Sequence, residues 1–344
     1  MTNLKFQNLA MHSINLKKYP KVKLIDQPSA IYHLKKISDI LGVDIYIKRD
    51  DLFAIGLGGN KLRKLEYLLG EAKKQKATHV FTVGAVQSNH ARMTAITAKM
   101  HGFELELFLK KSVPMNNATY FSNGNIILNN IVDAVIHEVQ DNNSAYQAMD
   151  IRSSEIRDAG GKAYSIPIGG SNALGTLGYV DCYFEIVKQQ IELGVKFDYI
   201  TTASGSGGTH AGLIVGNSLT GGKTHIKAYN VEPDQGQLAA HTLKIANECL
   251  LLCGNKSILT EKDVHISNEY SGEAYGIPSD FHIDTIKFLA KHEGVFLDPV
   301  YTSKAFAGIL MDIDNKVIKK GEKVLYVHTG GTAGIFAYEQ YFKR

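Results

Sequence analysis

Two lysines, Lys61 and Lys64, stand together in the stretch GLGGNKLRK. Gly58 and Gly59 loosen the chain just ahead of them, and Leu62, Leu65, Leu69 and Ala72 then recur at helical spacing. Both lysines therefore fall in the first turn of a helix. A cation at that end opposes the helix dipole, so a pair of them invites an explanation such as a bound phosphate or a neutralised amine. Taken singly, each is equally an ordinary solvated lysine, as most lysines are.

A second stretch, ASGSGGTHAG, follows an apolar run and opens a helix of small residues. There the backbone N–H groups of Gly205, Ser206, Gly207, Gly208 and Thr209 can converge on an anion, with the hydroxyls of Ser204, Ser206 and Thr209 as further donors. For a glycine cluster by itself, a solvent-exposed turn is an equal reading. No GK[ST] follows, which excludes a Walker loop. The glycine spacing does not match a dinucleotide fingerprint either, and Glu232 comes in a second strand without a supporting GxGxxG. A third stretch, QSNH, sets Gln87, Ser88, Asn89 and His90 at another strand-to-helix junction, where a Ser or Asn N-cap is compatible with a functional role. His90, His210 and His328 read as structural histidines, and no Ser/His/Asp order points to a hydrolase.

The elements that must position these loops alternate clearly. Val80 to Val83, Leu105 to Leu109, Tyr199 to Thr202, Ile226 to Val231 and Val324 to Val327 read as short strands. Helical stripes lie between them, among them Ala91 through Met100, and Leu177, Val180, Phe184, Val187 and Ile191. Ser279 or Asp280 can cap the helix of Ile283, Ile286 and Leu289, which Gly294 would end. This alternation predicts an α/β fold, mostly parallel in its strands, with helices on both faces. Ligands in such folds bind where loops leave the carboxyl ends of strands, and GAVQSNH, ASGSGGTH and HTGGT all qualify.

The bulk properties narrow the classes. A chain of 344 residues exceeds the size at which one core grows comfortably, so two lobes are expected. Apolar residues at 44% and charged residues at 21% are ordinary for a globular protein. The net charge of +4 comes from 38 basic and 34 acidic residues with no long basic stripe, so no nucleic-acid partner is expected. Cys182, Cys249 and Cys253 are odd in number and cannot form a disulfide framework, which suits a reducing, cytoplasmic setting. Neither another Cys nor a nearby His pair completes a metal set with Cys249 and Cys253, so no metal is expected. The first twenty residues lack a signal-peptide pattern, and no apolar run approaches the roughly 20 residues of a span, so no membrane is expected.

At GGNKLRKLEY, QSNHAR, PIGGSNALGTLGY, ASGSGGTHAG, AYGIP, DPVYTSKA and HTGGT, in order from residue 58 to 332, the sequence resembles the family of D-cysteine desulfhydrase and 1-aminocyclopropane-1-carboxylate (ACC) deaminase. The resemblance implies a two-domain fold type II enzyme with pyridoxal 5'-phosphate (PLP) as cofactor. Its larger domain would comprise residues 1–63 and 173–344, its smaller inserted domain residues 64–172. It implies a homodimer and a small amino-acid substrate. Lys61 would be the Schiff-base lysine, Lys64 a phosphate contact, and Gly205 to Thr209 the phosphate loop. Asn89 would bond the ring's 3-hydroxyl and Thr329 would also meet the cofactor. Ser88 would lie beside the substrate with Gln87 and Asn89, and Tyr275 and Tyr301 would move protons.

Within the family, similar deaminases carry Glu after DPVY and Leu in HLGG, where this chain has Thr302 and Thr329. A carboxylate near the pyridine nitrogen would strengthen the electron sink, whereas a threonine hydroxyl offers a neutral hydrogen bond. Opening a cyclopropane has no α-hydrogen to remove and asks more of that sink. The two threonines, with His90 and Ala91 after SN, therefore point to β-elimination from D-cysteine, giving pyruvate, hydrogen sulfide and ammonia. ACC deamination and L-cysteate lysis on the same scaffold stay open, as does a non-catalytic PLP- or small-molecule-binding protein; a nicotinamide oxidoreductase lacks its fingerprint.

Overall fold

In the computed structural model, which describes residue 14 and residues 16–343, the alternating strands and helices divide between two sheets. Most of the N-terminal stretch read above for an export signal lies outside the described residues. In chain order the elements are β1 (Ile31–His33), α1 (Lys35–Leu41), β2 (Asp44–Arg49), α2 (Lys61–Lys74), β3 (His79–Ala85), α3 (Asn89–Met100), β4 (Glu104–Lys110), α4 (Ala118–Ser122), α5 (Asn125–Ile131), β5 (Val135–Val139), α6 (Asn142–Asp158) and β6 (Ala163–Ile166). They continue with α7 (Ala173–Leu193), β7 (Tyr199–Ser204), α8 (Gly208–Leu219), β8 (His225–Asn230), α9 (Gln237–Leu252), β9 (His265–Ser267), α10 (Asp280–Glu293), α11 (Thr302–Asp314), β10 (Lys323–His328) and a 3-10 helix, Thr332–Tyr341.

The larger sheet runs β1-β2-β10-β7-β8-β9, parallel except at β1–β2, and the smaller runs β5-β4-β3-β6, wholly parallel. The central strands β3, β4, β7, β8 and β10 carry the apolar runs read from the sequence, whereas β2, DIYIKR, alternates in burial over its first residues and is not among them. Strands β1, β5, β6 and β9 are short and only partly buried, so no continuous apolar run marks them. Leu62, Leu65, Leu69 and Ala72 of α2 are fully buried, as are Leu177, Val180 and Val187 of α7, but Ile191, near the end of α7, is 40% exposed and leaves the stripe. Ser279 caps α10 and Gly294 ends it in the left-handed conformation.

Helix α2 packs across α7, and α7 lies along α8. A buried polar network behind α2 pins that arrangement. Asp50, fully buried, accepts hydrogen bonds from Ser29, from Tyr179 at 2.6 Å and from Nε and Nη2 of Arg63 at 2.8 and 2.9 Å. The other side of the Arg63 guanidinium meets both oxygens of Glu185 at 2.9 and 2.8 Å. Burial alone would raise the Asp50 carboxyl, but the attraction of Arg63 outweighs it and holds Asp50 below its ordinary value. A carboxyl lowered in this way stabilises the fold at neutral pH and loses that contribution as pH falls through its folded-state pKa.

Asp50→Asn leaves the Arg63 charge buried without the more deeply buried of its two carboxylate partners. Denaturant unfolding at pH 7 is expected to show a loss of about 3–5 kcal/mol, shrinking as the pH is lowered towards 3. A pH-independent loss below about 1 kcal/mol, the range of exposed pairs, would show that the pair does not anchor α2.

Candidate active site

A cavity of about 260 Å³ opens between the two sheets, beside the loops that leave β3, β7 and β10. All three loops picked out by their glycine, serine and asparagine content reach its wall. Two of them, the loops after β7 and β10, meet through Asn60, the residue before Lys61. The Asn60 side chain donates from Nδ2 to Thr209 Oγ1 at 2.9 Å and accepts at Oδ1 from Lys61 Nζ at 2.9 Å, while its backbone N–H donates to the Thr329 carbonyl at 3.0 Å. Its position is enforced upstream: Gly59 N–H donates to the Asp50 carbonyl at 2.8 Å, and Gly58 takes φ of +65°, where an added Cβ would stand 2.1 Å from the Asp51 carbonyl oxygen.

The local charge is positive. Lys61, only partly exposed, opens onto the cavity, and its amine is pulled down to about 8 by burial and the Arg92 guanidinium, against the opposing pull of Asp298. Arg92 is itself buried. Among the described residues it donates to the Gly56 carbonyl at 2.5 Å and the Gly58 carbonyl at 3.4 Å and meets no carboxylate, so it clamps the loop before Lys61. Lys64 is 1% exposed and donates to the Gly169 carbonyl at 3.0 Å and Ser171 Oγ at 2.9 Å; burial, then the charge of Lys61, holds it well below its ordinary value. Three cations near one cavity end with neutral partners describe a place for an anion.

The wall beside them suits a phosphate. Gly205, Ser206, Gly207 and Thr209 line it at the start of α8, where first-turn N–H groups have no preceding carbonyl to reach. Ser204 Oγ is buried on the same wall without a hydrogen-bond partner. Gly207 takes φ of +77°, and a Cβ there would come within 2.7 Å of Thr242 Oγ1. Two residues expected on this wall are not on it. The Gly208 N–H turns back to the Ser206 carbonyl at 3.0 Å. Lys64 lies behind the loop, 2.8 Å from where a Gly208 Cβ would stand, because its amine is held by Gly169 and Ser171; it supports the cradle from beneath.

At the other end, Ser88 caps α3 by accepting from Ala91 N at 3.1 Å and still faces the cavity, as do Asn89, Tyr275, Tyr301 and Thr329. The hydroxyls of Tyr275 and Tyr301 are hydrogen-bonded to each other, with the rings edge-on at 5.9 Å. Burial raises both phenols, so both stay protonated near neutral pH.

Two expectations are corrected. Gln87 does not reach the cavity, because its amide is used up in holding the chain around α4 and α5: Nε2 donates to the Tyr120 and Asn123 carbonyls at 2.6 and 2.9 Å, and Oε1 accepts from Asn125 N at 3.0 Å. Thr302 is also turned away. Fully buried, its hydroxyl accepts from Asp298 N at 2.6 Å and donates to Asp298 Oδ1 at 2.7 Å, leaving Thr329 alone of the two threonines on the wall. Ser204, read above as a further anion donor, lines the cavity, and so do Asn60, Gly169, Lys110, Ser112, Asn142 and Glu232, none of which was read as a site residue. Asn60, Ser204 and Gly169 fall inside stretches that carried the resemblance, whereas the remaining four had no local signal.

A family model described as pyridoxal-phosphate dependent enzyme matches residues 22–330. D-cysteine desulfhydrases of Salmonella typhi and of Salmonella choleraesuis (strain SC-B67) are each 36% identical over 324 residues, which is 94% of this chain and 98% of theirs. A crystal structure of an ACC deaminase homologue superposes with a TM-score of 0.86 at 36% identity, covering 98% of both chains. An O-ureido-L-serine synthase, at 13% identity and a TM-score of 0.62 over 90% of each chain, shares the fold.

With its amine near 8, Lys61 is neutral for PLP addition at a pH where an ordinary lysine is not. The rate at which a visible band grows when PLP is added to apoprotein is expected to rise with pH and level off above about 8. A rate still climbing steeply beyond pH 10 would place the reaction on an unperturbed lysine.

Proposed function

The chain belongs to the pyridoxal-phosphate-dependent enzymes, and on that premise we propose that it eliminates sulfide from D-cysteine, taking up water to give pyruvate, hydrogen sulfide and ammonia. The observation that carries this reading is the nearly full-length similarity to curated D-cysteine desulfhydrases. Lys61 would hold PLP, with Gly205, Ser206, Gly207, Thr209 and Ser204 around its phosphate, Asn89 and Thr329 against its ring, and Lys64 behind the cradle. When bound, the cofactor supplies an electron sink for the pair left on the substrate's α-carbon.

The chain's own groups then divide the work. The Lys61 amine, lowered to about 8 and so available in part as the free base near neutral pH, removes the α-proton as general base. Because burial keeps the two phenols protonated, Tyr275 and Tyr301 act as donors: one hydroxyl gives its proton to the departing sulfur and is resupplied through its partner. Ser88, fixed by its capping bond, positions the substrate carboxylate. Thr329 stands on the cavity wall where the deaminase-like sequences have Leu, and with Thr302 turned away it is the one of the two differing positions that bears on the choice between removal of an α-proton and ring opening. On the same reading, residues 64–172, which contain the whole smaller sheet, form the smaller domain, and the protein works as a homodimer.

PLP-loaded protein assayed against D-cysteine, L-cysteine, D-serine, L-cysteate and ACC is expected to release sulfide and pyruvate from D-cysteine with little turnover of ACC. Faster ammonia release from ACC, or comparable pyruvate from L-cysteate, would replace this substrate assignment. Tyr301→Phe should lower kcat by about 10²-fold or more, the usual contribution of a positioned proton donor; a drop below threefold would remove the phenol pair from the proton path. Thr329→Leu should raise the ratio of ACC to D-cysteine turnover. Thr302→Glu, by contrast, sets a second carboxylate against buried Asp298, and a lowered Tm without a change in that ratio is expected.

A further inference from the structure

Asn89 presents either a nitrogen or an oxygen to the cavity, and the choice decides what it can bind. The neighbouring groups make that choice. Asn125, at the start of α5 and fully buried, places its Nδ2 2.9 Å from the Gln87 backbone carbonyl and 2.9 Å from Asn89 Oδ1. A backbone carbonyl only accepts, so the Asn125 atom facing it is the nitrogen. That same nitrogen then needs an acceptor on Asn89, so the Asn89 oxygen turns inward and its Nδ2 is left for the cavity. Turning either amide over would bring two like atoms together in a buried place, at the cost of an unmade hydrogen bond.

Asn125 is held in turn. Its backbone N–H donates to Gln87 Oε1 at 3.0 Å, and Gln87 Nε2 donates to two further carbonyls, Tyr120 at 2.6 Å and Asn123 at 2.9 Å. Two backbone carbonyls facing Nε2 and a backbone N–H facing Oε1 fix the orientation of the Gln87 amide as well. Gly124, beside Asn125, keeps this contact close: with φ of +61°, a Cβ on it would stand 2.7 Å from Gln87 Oε1 and 3.0 Å from the Ala333 carbonyl oxygen. The ordered amides thus run from three backbone carbonyls and one backbone N–H, whose polarity is invariant, to the cavity wall.

We propose that Asn125 is a positioning residue which, with Gln87, locks Asn89 with its amide nitrogen towards the cavity, so that the site accepts a hydrogen-bond acceptor such as a phenolate oxygen of the cofactor at that point. Asn125 acts only through Asn89. The proposal rests on PLP as the cofactor and not on which amino acid is turned over. It gives Gln87 a role in setting polarity in place of contact with substrate.

The test is PLP titration of apoprotein for the wild type, Asn89→Ala, Asn125→Ala and the double variant, with the pH midpoint of the visible band and Tm recorded for each. PLP binding by the wild type is the control for the cofactor assignment itself. Asn125→Ala is expected to weaken PLP binding roughly tenfold, as for loss of a hydrogen bond to a charged group, and to move the pH midpoint in the same direction as Asn89→Ala. The double variant should be no weaker than the weaker single, because both remove one interaction. If Asn125→Ala lowers Tm but keeps wild-type affinity and midpoint, or if the double variant loses the product of the two single effects, the proposal is overturned. Should Asn125→Ala not fold, Asn125→Ser, whose hydroxyl can serve only one of the two acceptors, is read by the same outcomes.

Discussion

Positive charge gathered beside a cavity, with no carboxylate bonded to it among the described residues, is the constraint on which the rest of the structure turns. Lys64 and Arg92 are buried on neutral partners, and Lys61 rests against the Asn60 amide oxygen. Burying cations in this way is unfavourable unless something compensates. Part of the compensation is a lowered affinity for protons, as in Lys61 and Lys64. The glycine loop at the start of α8 deepens the imbalance, since its N–H groups and helix dipole add still more positive potential at the same place. An anionic group such as a cofactor phosphate would offset this imbalance, where a neutral ligand would not.

Much of what holds this arrangement together lies behind the cavity wall. The Asp50–Arg63–Glu185 network fastens α2 from behind, and the Asp50 backbone carbonyl also receives Gly59 N–H, two residues from Lys61. Asn60 carries that rigidity forward, since one side chain and its backbone N–H connect the lysine, the phosphate loop and the end of β10. On the opposite wall, Asp298 accepts from the backbone N–H groups of Val300, Tyr301 and Thr302, which sets Tyr301 at the head of α11. Lys304, buried one turn on, donates to the Val231 and Ala274 carbonyls and so holds the segment that carries Tyr275.

Much of this was legible in the residues. Strand–loop–helix units are marked by apolar runs followed by glycine, serine and asparagine, so β3, β7 and β10 and their loops could be read directly. The edge strands β1, β5 and β9 could not, because exposure leaves them without an apolar run. Lys61, Ser88, Asn89, Tyr275, Tyr301 and Thr329, each in one of the motifs, all line the same cavity. Orientation was the part hidden from the sequence. Gln87 and Thr302 stand within a residue of cavity-lining groups, yet their side chains turn to Asn125 and Asp298, which lie 38 and 4 residues away in the chain. Asn125 belongs to none of the motifs, since only the packing of α5 against α3 brings it to Asn89.

The identity of the lysine that takes the cofactor is the most direct point of contact with experiment. Borohydride reduction of PLP-loaded protein followed by peptide mass mapping should find the pyridoxyl adduct on the peptide bearing Lys61 and absent from the Lys61→Ala variant. An adduct on Lys64 or on a surface lysine, or a stoichiometric adduct that survives Lys61→Ala, would contradict the assignment of Lys61 and the charge arrangement that singles it out.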